Sequence, residues 1–213
     1  MMRTTMRTAG KTTLYHVHDP MCSWCWGYRE TWNSLRAQLP VSVTVVNVLG
    51  GLAADTDQLM PREQCQAIAG YWRKINKLTG AQFNFDFWDQ CAPRRSTYPA
   101  CRAVLGAAHQ GAEERMIDAI QQAYYLRAMN PSDNSVLIVL AGELNLNQEQ
   151  FSLDINSEGT HLELEENVSL GRRIHANSFP SLILEINSAL IPIDIDYLSH
   201  KSALKSILNK LAY

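Results

Sequence analysis

No apolar run in these 213 residues approaches the roughly 20 that a membrane-spanning helix needs. The longest candidate, Val41 to Leu49, is interrupted by Ser42, Thr44 and Asn47 and reads as a strand. The basic N-terminus, MMRTTMRTAGKTT, has no apolar segment behind it. No secretory signal is visible, and the expected location is cytoplasmic. An excess of one charge is lacking too: 19 Lys and Arg stand against 21 Asp and Glu, a net charge of −2. Neither nucleic acid nor an anionic membrane is called for as a partner. The balance is uneven, with 12 basic and 7 acidic residues in the first 110 positions and 7 and 14 in the rest, which reads as two differently solvated faces. Internal repeats and low-complexity tracts are absent. The remaining composition, 46% apolar and 19% charged, is that of a globular chain able to bury a substantial core, as one large domain or one domain with an insertion.

Cysteine is scarce and odd in number. Five residues, Cys22, Cys25, Cys65, Cys91 and Cys101, do not make a disulfide scaffold in a chain of this length. Two of them form Cys22-Ser23-Trp24-Cys25. A structural zinc site needs two further ligands at suitable spacing. No second Cys-x-x-Cys exists and no histidine pair follows at finger spacing; only His16 and His18 stand nearby, so no metal is expected.

The surroundings of the pair give it a chemistry. Thr12 to His18 is strand-like, and Asp19-Pro20 stops the ladder because proline has no N–H to donate. A helical pattern begins at Cys22, with Trp26, Trp32, Leu35 and Leu39 read as one face and Pro40 as the stop. Cys22 therefore sits at a helix N-terminus, where unsatisfied N–H groups and the dipole stabilise a thiolate. Cys25, one turn in, can attack a mixed disulfide formed at Cys22. Cys22 is expected to be the exposed thiol and Cys25 the buried one. Trp24 and Trp26 can shield the sulfur from bulk water.

Val41 to Leu49 and its terminator Gly50-Gly51 complete a strand–helix–strand unit suited to a right-handed parallel crossover. Helical patterns then run through the middle: one after Pro61 with Cys65, Ile68, Ala69, Trp72 and Ile75, then Pro99 to His109, Glu113 to Met129, Asn134 to Leu144, Gln148 to Ile155 and Thr160 to His175. Gly80 to Pro93 is a looser aromatic stretch. Ser181 to Ile186 and Ala189 to Ile195 read as a hairpin around Asn187-Ser188, followed by a last helix capped by Ser199 or Asp196.

Strand, Asp19-Pro20-Met21-Cys22-Ser23-Trp24-Cys25-Trp26-Gly27, helix, a long helical stretch, then Phe179-Pro180 before two strands and a helix resembles the DsbA-like branch of the thioredoxin superfamily, and within it the FrnE-like proteins assigned as protein disulfide isomerases. Gly50-Gly51-Leu52 and Tyr98 to Val104 resemble the same group. The resemblance implies an α/β thioredoxin-like fold carrying a large all-helical insertion. It places the thioredoxin-like part at residues 1–58 and 171–213 and the insertion at 59–170. It implies a cis bond before Pro180, facing the cysteines, with the Phe179 backbone free to pair with an extended substrate. Trp24, Phe179 and Pro180 are then substrate-binding, and Cys22 and Cys25 catalytic. Relatives carry a carboxylate six residues before the first cysteine; here that position is His16, the candidate proton relay, with a satisfied core histidine as the alternative. Strong oxidants of the family carry a histidine inside the motif, where this chain has Ser23-Trp24.

The expected activity is thiol–disulfide exchange, as a reductase or isomerase acting on protein or small-molecule disulfides. No cofactor is required, with glutathione as a potential redox co-substrate. Two alternatives stand beside it. One is a glutathione-linked isomerase or transferase of the kappa or hydroxychromene-carboxylate isomerase type; those enzymes usually have serine at the first cysteine position. The other is a non-catalytic peptide-binding chaperone. Cys65 and Cys101 read as buried inert thiols, while Cys91 lies in an irregular aromatic stretch that leaves room for exposure. Trp72, Phe83, Phe85, Phe87 and Trp88 read as packing. Arg94-Arg95 reads as a solvated pair, with an anion such as a glutathione carboxylate as the alternative.

Overall fold

The computed structural model describes residues 12–212; the basic N-terminal stretch lies outside the described residues. Four strands form one sheet: β1 (Thr12–His18), β2 (Val43–Leu49), β3 (Ser181–Ile186) and β4 (Ala189–Ile193), in the order β2-β1-β3-β4. β1 and β2 are parallel, and β3 runs antiparallel to both β1 and β4. The parallel pair is joined by α1 (Ser23–Arg36). The antiparallel pair turns through Asn187 and Ser188, both at positive φ, 49° and 67°. That geometry follows the twist of the flanking strands. The architecture is α/β and thioredoxin-like.

Between β2 and β3 the chain runs through α2 (Arg62–Thr79), α3 (Phe87–Gln90), α4 (Tyr98–Ala108), α5 (Glu113–Leu126), α6 (Asn134–Glu143), α7 (Gln148–Ile155) and α8 (Glu158–Arg173). The last helix is α9 (Lys201–Leu211). Among the described residues, the only strand-like pairing between β2 and β3 is the isolated bridge Leu59–Arg94, outside the sheet.

Side chains alternate along β1, so its two faces meet different partners. Leu14 packs with Tyr28, Trp32 and Leu35 of α1 and Ala203 and Ile207 of α9. Val17 packs on the opposite face with Val48 and Ile174. The sheet is therefore covered on both sides, and β1 is buried over most of its length. A third and larger core lies among the helices from α2 to α8, with α4 at its centre. Trp72 is fully buried there and packs against Phe83, Phe85, Phe87, Trp88, Tyr124 and Tyr125.

Several sequence expectations need correction. Helix α1 does not have one apolar face. Trp26 belongs to the helical core, where it stacks on Tyr125, whereas Trp32 and Leu35 belong to the sheet core. The six-residue step from Trp26 to Trp32 is 240° around a helix, so the two indoles point apart. Strand β2 starts at Val43, and Val41 is fully exposed. Neither Ser199 nor Asp196 is the N-cap of α9; His200 is, with Ser199 accepting from the Lys201 N–H and Asp196 from the Leu198 N–H. Cys65 and Cys91 are both half-buried, and Cys101 is fully buried.

Candidate active site

Cys22 is the N-cap residue of α1, with extended backbone (φ −80°, ψ 115°) and no side-chain cap. Its N–H closes a turn onto the Asp19 carbonyl at 3.0 Å, which swings the chain from the end of β1 into the helix. The Cys22 Sγ lies 3.6 Å from the Phe179 carbonyl oxygen, and the Phe179–Pro180 bond is cis. Residues 157 positions apart in the chain thus meet at one sulfur. Phe179 lies over Gly50, where any side chain would overlap its ring. Gly51 follows at φ +60°, with Tyr98 and Val168 closing the space a β-carbon would need. Gly50 is thus the seat on which Phe179 rests, and Gly51 supplies the left-handed turn beside it.

All five cysteines are free thiols. Cys22 and Cys25 are about equally hidden, 6% and 5% exposed, so the expected contrast in exposure is absent. Their environments differ instead. Burial pushes the Cys25 thiol well above its ordinary range, reinforced by a hydrogen bond and charge repulsion from Cys22. A buried thiol with a raised pKa must lose its proton to a specific acceptor if it is to attack.

Asp19 anchors the turn. Its fully buried carboxylate accepts from the Met21 N–H at 2.8 Å, the Leu52 N–H at 2.8 Å, the Thr97 hydroxyl at 2.7 Å and the Cys101 thiol at 3.5 Å. One side chain therefore ties β1 to the Gly50–Leu52 loop and to the start of α4. Desolvation raises its pKa, and those donors hold it down in part. In the sequence Asp19 reads only as part of a strand stop; its place three positions before the helix-capping cysteine is the signal that marks it.

Trp24 is half-buried beside the dithiol, edge-on to Tyr197 at 5.2 Å, with the Lys74 ammonium 5.8 Å from its ring. Pro180 is buried and Phe179 half-buried. His16 is buried among aromatic rings, stacked on Trp32 at 4.0 Å and on His18 at 4.7 Å. Burial lowers its pKa well below the ordinary value, and His18 is lowered to about 4 for the same reason. Both imidazoles are neutral at pH 7. Arg94 is not free for an anion: it binds Asp133 and the Ser132 carbonyl.

A strand-to-helix dithiol beside a cis-proline on this sheet is the arrangement of the thiol–disulfide oxidoreductases, and that is the class to which the fold and site assign the protein. The family model described as thioredoxin matches residues 15–189, and the chain belongs to that family. Among solved structures it is similar to a proposed protein disulfide isomerase from Nitrosomonas europaea, with 25% identity, a TM-score of 0.81 and coverage of 95% of this chain and 98% of the other. It is similar to the cytosolic disulfide reductase DsbM from Pseudomonas aeruginosa, with 25% identity, a TM-score of 0.77 and coverage of 94% and 98%. DsbM has also been solved with GSH. Among curated proteins it is 23% identical over 172 residues to the ClpXP adapter protein SpxH of Bacillus subtilis (strain 168), covering 79% of this chain. The chain spans little more than half, 56%, of that relative's length.

Proposed function

We propose that the protein is a disulfide reductase or isomerase in which Cys22 attacks the substrate disulfide and Cys25 resolves the mixed disulfide. The observation that carries this is the Cys22 sulfur at the α1 N-cap, 3.6 Å from the Phe179 carbonyl beside cis Pro180. An extended substrate docks by pairing with the Phe179 backbone, and the Trp24 ring flanks it. Cys22 thiolate attacks one substrate sulfur and expels the other as a thiolate. Cys25 then attacks Cys22, forming the Cys22–Cys25 disulfide and releasing the second substrate thiol. Two electrons pass from the dithiol to the substrate.

The Ser23-Trp24 pair places no cation inside the motif, so the Cys22 thiolate gains no stabilisation there beyond the helix terminus. The couple then belongs near the thioredoxin potential of about −270 mV rather than the strong-oxidant value of about −120 mV. A cytoplasmic location suits such a couple, and the likeness to a cytosolic reductase supports it. Glutathione is the proposed electron donor, supported by the GSH complex of DsbM.

Equilibration in glutathione buffers with counting of free thiols gives the potential directly. A value more positive than about −150 mV on that scale would overturn the reductase assignment. Cys22→Ser should abolish exchange, and Cys25→Ser should accumulate mixed disulfides at Cys22. Mixed disulfides collecting at Cys25 instead would reverse the two roles.

A further inference from the structure

A second helix reaches the dithiol motif. Helix α2 lies against α1 where Gly27 leaves room: a β-carbon there would sit 2.5 Å from Ile75 Cγ2 and 3.7 Å from the Thr79 side chain. Ile75 is fully buried, and Lys74 beside it is exposed. The Lys74 ammonium lies over the Trp24 ring, 5.8 Å from its centre. The ring itself is half-buried, with Tyr197 edge-on at 5.2 Å. An ammonium within about 6 Å of an indole face is attracted by the ring quadrupole. Its flexible four-carbon stem leaves it free to turn toward a ligand.

This charge is not engaged elsewhere. α2 carries Arg62, Arg73, Lys74 and Lys77 against the single carboxylate of Glu63. Among the described residues none of those four cations is in an ion pair, whereas Arg29, Arg36, Arg94, Arg102 and Arg127 each hold a carboxylate. Near Tyr197, the Asp196 carboxylate accepts from the Leu198 N–H. Asp19, before Cys22, is fully buried among its own four donors. The accessible charge that α2 brings to the Trp24 ring is therefore positive.

We propose that Lys74 is a specificity-determining residue that turns the exchange site toward disulfides carrying a carboxylate close to the reacting sulfur. The proposal rests on the exchange function above, in which Trp24 flanks the bound substrate. A substrate group lying along that ring meets the Lys74 ammonium at its face. The Cys22 thiolate attacks the near sulfur, the substrate S–S bond breaks, and the far sulfur leaves with the electron pair and takes a proton from solvent. Lys74 gives up no proton and forms no bond in that step. It steers anionic substrate to the site and pairs with it there.

The test uses three disulfides of matched length and different charge: dithiodipropionate is anionic, hydroxyethyl disulfide neutral and cystamine cationic. The reduced full chain is mixed with each and quenched in acid, and the Cys22–Cys25 disulfide is counted by mass spectrometry. Rates are taken relative to the neutral reagent. Lys74→Met, which keeps an unbranched stem against Trp24, should lower the anionic rate about three-fold and raise the cationic rate about three-fold, the size of one exposed charge pair. Lys74→Glu should move each by about ten-fold, and Lys74→Arg should hold the parent ratios. In the parent, the advantage of the anionic reagent should shrink as salt rises from about 0.05 to about 0.5 M. Ratios left unchanged by Lys74→Glu overturn the proposal. Slowing of all three reagents by one factor overturns it too, since Lys74 would then act on the Cys22 thiolate. An equal shift from Lys77→Glu would assign the preference to the net charge of α2 and overturn the role of Lys74. A parent that forms no Cys22–Cys25 disulfide with any of the three overturns the exchange function itself, and the proposal with it.

Discussion

Gly50 and Asp19 show how single residues build the site without reacting in it. A β-carbon on Gly50 would displace the Phe179 ring, and with it the carbonyl that faces Cys22. Gly50→Ala should therefore lower exchange activity by about a hundred-fold, the effect of moving a reacting geometry by an ångström. Disulfide reduction assayed beside a thermal melt checks this; loss of activity in proportion to loss of folded protein would refute it. Asp19 makes a different demand. Asp19→Ala strands the Met21 and Leu52 N–H groups, the Thr97 hydroxyl and the Cys101 thiol in a dry interior. Each orphaned buried donor costs about 1–3 kcal/mol, so urea denaturation should reveal a loss of about 3 kcal/mol or more. A loss under about 1 kcal/mol would mean that water replaces the carboxylate.

At the scale of elements, β1 carries the pH dependence. His16 and His18 are neutral in the folded state at pH values where an unfolded histidine is already protonated. Their folded pKa values are depressed, so the stability they contribute is complete above about pH 6.5 and falls as pH drops toward 4. For His18 alone the span from 6.5 to about 4 amounts to roughly 3 kcal/mol. Asp19, whose pKa is raised, works in the opposite direction at the acidic end. The stability of the parent against urea should fall between pH 7 and 4.5, and His18→Gln should flatten that slope. A parent whose stability is level over this range would show that the imidazoles are hydrated.

Much of this was legible in the sequence, for reasons the same elements make plain. β1 and β3 are short runs of β-branched and apolar residues with turn signals at their ends. The dithiol and Phe179-Pro180 are local motifs. Asn47, by contrast, reads in sequence only as a break in a valine run. Its side-chain hydrogen bonds depend on register with His16 and on Glu114 of α5, 67 positions away. The twin burial of α1 was equally hidden, because periodicity marks an apolar side chain without saying which core receives it.

For the molecule as a whole, stability is divided between the cores on the two sides of the sheet and a core centred on the helices. Trp72 is the largest fully buried side chain of the latter, and its Nε1 has no partner, so its contribution is packing. Trp72→Ala should cost about 3–5 kcal/mol. Met21, Trp26 and Leu49 belong to the same core, so the helical part and the dithiol helix should loosen together. Amide exchange in α1 and α4 measures this. Unchanged protection in α1 alongside faster exchange in α4 would show that the parts unfold separately.

The 157-residue separation of Cys22 and Phe179 also has a meaning in time. A ribosome adding about 5–20 residues per second needs roughly 8–30 s to pass from one to the other. For most of that interval β1 has β2 for a neighbour but no β3, and throughout it the Cys22 thiol lacks its facing carbonyl. The newborn chain thus carries a dithiol before it has a substrate groove. It depends on the surrounding thiol pool, rather than on its own architecture, to keep that pair reduced until the last two strands arrive.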